Sequence, residues 1–76
     1  MPHVSFETTV KGGLPCTVEA DIRIYRKGGE LFTETASLEV FWPTTKAGRS
    51  RPMPLNIWKM DAATIEAEAE ERAFNA

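Results

Sequence analysis

Two copies of one tripeptide, Lys11-Gly12-Gly13 and Lys27-Gly28-Gly29, constrain this chain more than any other feature. Each sits between stretches in which apolar and polar residues alternate. Val4, Phe6, Thr8 and Val10 share one parity, as do Leu14, Cys16, Val18, Ala20, Ile22 and Ile24, and again Phe32, Ala36, Leu38, Val40 and Trp42. The opposite parity is polar: Ser5, Glu7, Thr9, then Thr17, Glu19, Asp21, Arg23, then Thr33, Thr35, Ser37, Glu39. Side chains alternate across a strand, so this pattern marks strands with one buried face.

Loop length then sets the pairing. A two-residue loop on the glycine pair joins even residues to odd ones and throws the apolar sets onto opposite faces. A three-residue loop, a type I turn closed by a left-handed glycine, joins even to even. The first hairpin is therefore expected to set Val10 opposite Leu14, Thr8 opposite Cys16 and Phe6 opposite Val18. The second is expected to set Arg26 opposite Glu30, Ile24 opposite Phe32 and Ala20 opposite Ala36. The result is a three-stranded meander over residues 1–42, its central strand bending near Ala20-Asp21. Two residues resist it. Pro15 lacks an N–H near the start of the central strand. Glu34 falls on the apolar parity, which places it beyond the end of the first strand, where that face opens to water.

Residues 43–54 hold three prolines and a glycine and read as a loop. Residues 55–60 read as a short fourth strand. Residues 61–74 read as a helix, with Asp61 as N-cap and Met60 and Ile65 as a hydrophobic staple. Alanine and glutamate dominate it, and Ala62, Ile65, Ala69 and Ala73 fall on one stripe. The fold class is α+β: an antiparallel β-meander of three to four strands with one C-terminal α-helix.

The 76 residues make one small domain with a thin margin of stability. With 42% hydrophobic and 26% charged residues the composition is that of a folded protein rather than a disordered one. Cys16 is the one cysteine, which excludes an intrachain disulfide and a cysteine-based metal site and points to a reducing, cytoplasmic setting. The opening Met1-Pro2-His3-Val4 lacks the pattern of a secretory leader, and no apolar run approaches the ~20 residues that span a bilayer. Net charge is −2, unevenly spread. Residues 43–60 carry Lys46, Arg49, Arg51 and Lys59 with no acid, and residues 61–76 carry five acids against Arg72. A basic loop stands next to an acidic helix.

Nothing in the sequence assembles a catalytic site, and no cofactor or metal is expected. His3 is two residues from the N-terminus with no suggested partner, and a general base needs one. Cys16 alternates inward with Val18, as a small core residue does. The glycine pairs precede strands rather than helices, so they are not phosphate loops. Lys46, Arg49 and Arg51 can meet phosphates, which makes a small nucleic-acid-binding module working through residues 44–51 the alternative function. The ordinary reading of that loop is a solvated segment that balances the helix. Trp42 lies on the apolar parity, and Trp58 precedes the helix. Both are candidates for a partner surface, where tryptophan is enriched.

The strongest hint is a shortage of cover. The inner parity offers Phe6, Val18, Ile22, Ile24, Phe32, Leu38, Val40 and Trp42, each worth roughly 1.5–3 kcal/mol when fully buried. One alanine-rich helix does not cover such a sheet. The shortfall predicts a homodimer through sheet faces or strand edges, or a face for another protein. The layout also resembles small accessory proteins of phages and prophages, through Trp58-Lys59-Met60-Asp61 followed by Ile65 and Glu66, and through the turn from Gly13 to Val18. That resemblance implies a non-enzymatic interaction protein directed at a host protein, and carries no site residue with it.

Overall fold

The first glycine turn behaves as its spacing predicts. Val10 pairs with Leu14, Thr8 with Cys16 and Phe6 with Val18 across a three-residue loop, and the Gly13 N–H donates to the Val10 carbonyl at 3.1 Å. The turn is not the expected type I, because its two central residues, Lys11 and Gly12, both have positive φ, at 50° and 77°. A non-glycine residue resists that region. Lys11 is held there in part by its N–H, which donates to Asp61 Oδ2 at 3.1 Å.

The computed structural model describes residues 2–43 and 51–75. Strands β1 (His3–Val10), β2 (Leu14–Lys27) and β3 (Glu30–Phe41) form one antiparallel sheet in the order β1-β2-β3. A helical turn α1 (Leu55–Trp58), a 3-10 turn (Lys59–Asp61) and helix α2 (Ala62–Phe74) follow, and α2 packs against all three strands. The fold is α+β.

The second hairpin departs from expectation. Lys27 pairs with Glu30, so the loop has two residues, and Gly28 and Gly29 take φ of 60° and 85°. Two adjacent positive φ values make a type I′ turn, whose twist matches that of the strands it joins. Ile24 consequently faces Thr33 rather than Phe32. The register then shifts between Asp21 and Ile22: Ile22 pairs with Thr35 and Asp21 with Ser37, leaving Ala36 as the extra residue of a β-bulge. Past the bulge parity is restored, with Ala20 opposite Leu38 and Val18 opposite Val40. The bulge inverts the distal part of β3. Leu31, Thr33 and Thr35 join the inner face, and Phe32 and Glu34 turn outward. Glu34 therefore owes its position to a change of face. It pairs with Arg23 at 3.7 Å across the outer side.

Pro15 finds a place because the odd residues of β2 bond toward β3, whose pairing ends at Thr17 and Phe41. Its missing N–H lies beyond that end. Past residue 50 the chain returns along the free edge of β3. Trp42 N–H donates to the Arg51 carbonyl and Met53 N–H to the Val40 carbonyl, both at 2.8 Å. This seats Met53 in the core.

The segment expected as a fourth strand over 55–60 is helical instead. Pro54, extended at φ −57° and ψ 139°, precedes the first helical residue, and its carbonyl accepts from Ile57 N–H. Asp61 makes no capping bond, because its carboxylate turns to Lys11. Met60 is 91% exposed, so no staple forms. The helical stripe itself is as read: Ile65, Ala69 and Ala73 are buried. They meet Phe6, Val10, Cys16, Val18, Ala20, Ile22, Val40 and Met53, with Trp42, Ile57 and Trp58 packed around them. Alanine on this stripe lets the helix backbone approach the sheet closely.

Candidate interaction surface

Among the described residues β1 covers only the first part of β2. Its last strand pair is His3 with Asp21, and the Ile22 N–H donates to the Pro2 carbonyl at 2.8 Å. β2 and β3 continue alone from Ile22 to the glycine turn. Six residues at about 3.4 Å each make an arm of roughly 20 Å. The molecule is correspondingly long, with extents of 45 × 25 × 17 Å.

On the inner face of the arm, cover runs out quickly. Ile22 is fully buried, but Ile24 is 36% exposed and Leu31 47%. Helix α2 ends here. Glu70 ties the helix to the arm: its two carboxylate oxygens accept from the hydroxyls of Thr33 at 2.9 Å and Thr35 at 3.4 Å. Phe74, four residues on along the same helical stripe, is 51% exposed. The outer face carries an aromatic pair, Tyr25 stacked on Phe32 with centroids 5.7 Å apart, and the Arg23 guanidinium sits 5.3 Å over the Tyr25 ring. Ile24, Leu31, Tyr25 and Phe32 thus place apolar surface on both sides of a two-stranded arm.

The residues singled out from the sequence lie elsewhere. Trp42 and Trp58 are partly buried against the core, and Trp58 Nε1 donates to the Met53 carbonyl at 3.2 Å. Lys46 and Arg49 lie outside the described residues, as does most of the 44–51 loop. Arg51 is exposed, its carbonyl engaged by Trp42. The arm was hidden from sequence reasoning by the bulge at Ala36. The one available signal was Glu34 on the wrong parity.

A second group lies on the outer face at the root of the arm. Far from lacking partners, His3 is placed in β1 and bridges two carboxylates, with Nδ1 2.9 Å from Asp21 and Nε2 3.2 Å from Glu19. The hydroxyl of Ser37 donates to the second Asp21 oxygen at 2.9 Å. Bonds to Asp21 and then Glu19 raise the His3 pKa above its ordinary value, and bonds from His3 and Ser37 lower that of Asp21. The order is serine to aspartate to histidine, so the histidine does not reach the hydroxyl, as a base activating a nucleophile must. Cys16 is buried, and burial followed by the charge of Asp61 pushes its thiol up, away from the reactive thiolate. Among the described residues no group of three or more histidine, cysteine or acidic side chains has a metal-binding arrangement, and no helix is long and apolar enough to cross a membrane. No family model, curated protein or solved structure matches the chain.

Proposed function

We propose that this chain is a non-enzymatic protein-interaction domain that works through its projecting β2–β3 arm and forms a homodimer there. One observation carries the reading. The inner face of the arm bears Ile24 and Leu31, and the end of α2 bears Phe74, all more than a third exposed. Uncovered residues of this size on one side of a small domain favour association. A two-fold contact of these inner faces covers them in both copies at once. The committed partners of His3 and the buried thiol of Cys16 support the non-enzymatic part. An accessory protein of phage origin acting on a host protein is the biological setting that fits this reading. Binding of nucleic acid through residues 44–51 is less favoured, because on the outer sheet face Glu7, Glu19, Asp21, Glu34 and Glu39 outnumber Arg23 and Lys27.

Sedimentation at tens of micromolar tests the proposal. A dimer is expected, dissociating in the double variant Leu31→Glu, Phe74→Glu and insensitive to salt. A monomer for the unaltered chain at that concentration sinks the dimer. Submicromolar DNA binding that weakens as salt rises and is lost in Arg49→Glu plus Arg51→Glu moves the function to the loop.

A further inference from the structure

We infer that the open edge of β2 on the arm is a docking site for an extended acidic segment of a partner protein, added as a strand in line with β1. The inference rests on the interaction reading above and names the partner's chemistry.

The edge follows from the ladder. Along β2 the even residues bond toward β1, as the Ile22 N–H does to Pro2, and the odd residues bond toward β3. Pro2 has no N–H to return to the Ile22 carbonyl. Beyond it, Ile24 and Arg26 direct their N–H and C=O groups at the side β1 has left. Among the described residues no strand pairs with β2 there. Two donors and three acceptors stand in a row, the arrangement to which an added strand binds.

The sheet has other edges, and they differ from this one. The outer edge of β3 carries Glu30, Glu34 and Glu39 without a base, is broken by the bulge at Ala36, and is taken at Val40 and Trp42 by residues 51–53. Bulges and a covering segment protect an edge from pairing, and charges on an edge reject strands of like charge. The β2 edge carries Arg23, Arg26 and Lys27 without an acid. Arg23 and Lys27 lie on the outer face and Arg26 on the inner one. A strand antiparallel to β2 meets Lys27 and Arg26 first, then Tyr25 and Ile24. The complementary sequence is two acids followed by two apolar residues.

Charge also tells against a second copy at this edge. A two-fold pairing that joins Ile24 of one copy to Arg26 of the other sets Arg23 against Lys27. Centring it on Arg26 sets arginine on arginine, and centring it on Ile24 drives Lys27 into the place beside Asp21 that His3 fills. Like charges directly opposite destabilise a strand pair. The edge therefore selects a foreign acidic strand, leaving the inner face to the dimer.

The test titrates the full chain with a capped peptide containing Glu-Glu-Val-Val and with its Lys-Lys-Val-Val counterpart, following backbone amide resonances. The acidic peptide should move the Ile24 and Arg26 amides most and bind at least about tenfold tighter than the basic one, a preference that shrinks with salt. Arg26→Pro removes one edge donor without touching the β2–β3 ladder and should abolish binding. Arg26→Gln keeps the N–H and should only weaken it. Equal binding of both peptides, shifts confined to β1 or β3, or unchanged binding by Arg26→Pro would each overturn the inference. Should Arg26→Pro unfold the arm, Arg26→Glu decides by reversing the peptide preference or failing to. A chain that still sediments as a dimer while ignoring the acidic peptide keeps the interaction reading and loses this one.

Discussion

Ile22 and Ile24 stand two residues apart on one face of one strand, and the first is fully buried while the second is 36% exposed. Their sequence surroundings are alike. The difference is what lies beside and above them. Ile22 has the Pro2 carbonyl, just ahead of β1, accepting from its N–H on one side, β3 on the other, and the α2 stripe over the sheet. Ile24 has β3 alone, and the bonds from α2 to the arm are those of Glu70 to Thr33 and Thr35. Alternation in a strand thus states which face is apolar and leaves open how much of it is covered. Cover is a property of neighbours, and here the neighbours end halfway along the longest strand.

Paired truncations break or sharpen this contrast. Ile22→Ala removes packed methyl groups from a closed site and should cost about 2–5 kcal/mol in urea unfolding. Ile24→Ala should cost less than about 1 kcal/mol in dilute protein. Equal losses at low concentration would mean the arm is covered within one chain. A loss at Ile24 that grows with protein concentration is the signature of cover by a second copy, since association stabilises by mass action.

The next effect is at the turn that builds the arm. Gly29 has φ 85° and nothing within 4 Å of where a Cβ would stand, so a side chain there meets backbone strain rather than a clash. Gly29→Val should cost about 1–2 kcal/mol. Gly28→Asn should be nearly neutral, because asparagine suits the first place of a type I′ turn. If Gly28→Asn costs as much as Gly29→Val, the loop does not have two residues and the assignment of Phe32 to the outer face falls.

How much of this was legible can be traced residue by residue. The proximal sheet was readable because Val10, Leu14 and the intervening Lys11-Gly12-Gly13 admit one register that keeps Phe6, Cys16 and Val18 together. The distal half was misread because Ala36 carries no signal of a bulge. An alanine fits the alternation as well as it fits an unpaired position, and the alternation of Phe32 with Leu38 and Val40 looked unbroken. Glu34 was the discrepancy that a register shift resolves, since the shift turns it to Arg23. The helix was legible in its stripe and not in its start. Asp61 has the chemistry of an N-cap, and only the tertiary fold shows that the turn at Lys11 takes its carboxylate. Of the interaction surface little was legible. Trp42 and Trp58 stand out in the sequence by size, but the exposed large apolar residues are Ile24, Leu31 and Phe32 on the arm, Phe74 at the helix end, and Leu55 and Met60 ahead of α2.

The helix start gives a smaller effect with a sharp readout. Asp61→Ala should cost about 0.5–1.5 kcal/mol through the lost bond to Lys11. Hydrogen exchange locates the loss. The Lys11 amide should exchange faster, with the first turn of α2 little changed. Faster exchange at residues 62–65 with Lys11 unaffected would restore Asp61 to the role of a helix cap.

The smallest effect separates the two halves of the sheet at their junction. His3, Asp21, Glu19 and Ser37 sit where β1 ends and the arm begins, all exposed or half-exposed, so solvent screens their interactions. The folded pKa of His3 is raised above the ordinary 6.5, mainly by its bond to Asp21 and then by that to Glu19. The stabilisation it brings is therefore complete below 6.5 and fades as pH climbs through the raised value. Asp21 is held below its ordinary 3.8, first by His3 and then by Ser37. Its contribution is present above 3.8 and fades as pH falls through the depressed value. Both are in place between about pH 4 and 6.5, so the clamp on the end of β1 should be tightest there. Exchange of the Ile22 amide, which reports the bond to Pro2, should be slowest in that window relative to the intrinsic rate and should quicken above it. In His3→Ala the quickening above pH 6.5 should vanish, with the Ile65 amide in the helix unmoved. The same pH dependence surviving in His3→Ala would mean that this cluster does not clamp β1 to β2 at Ile22.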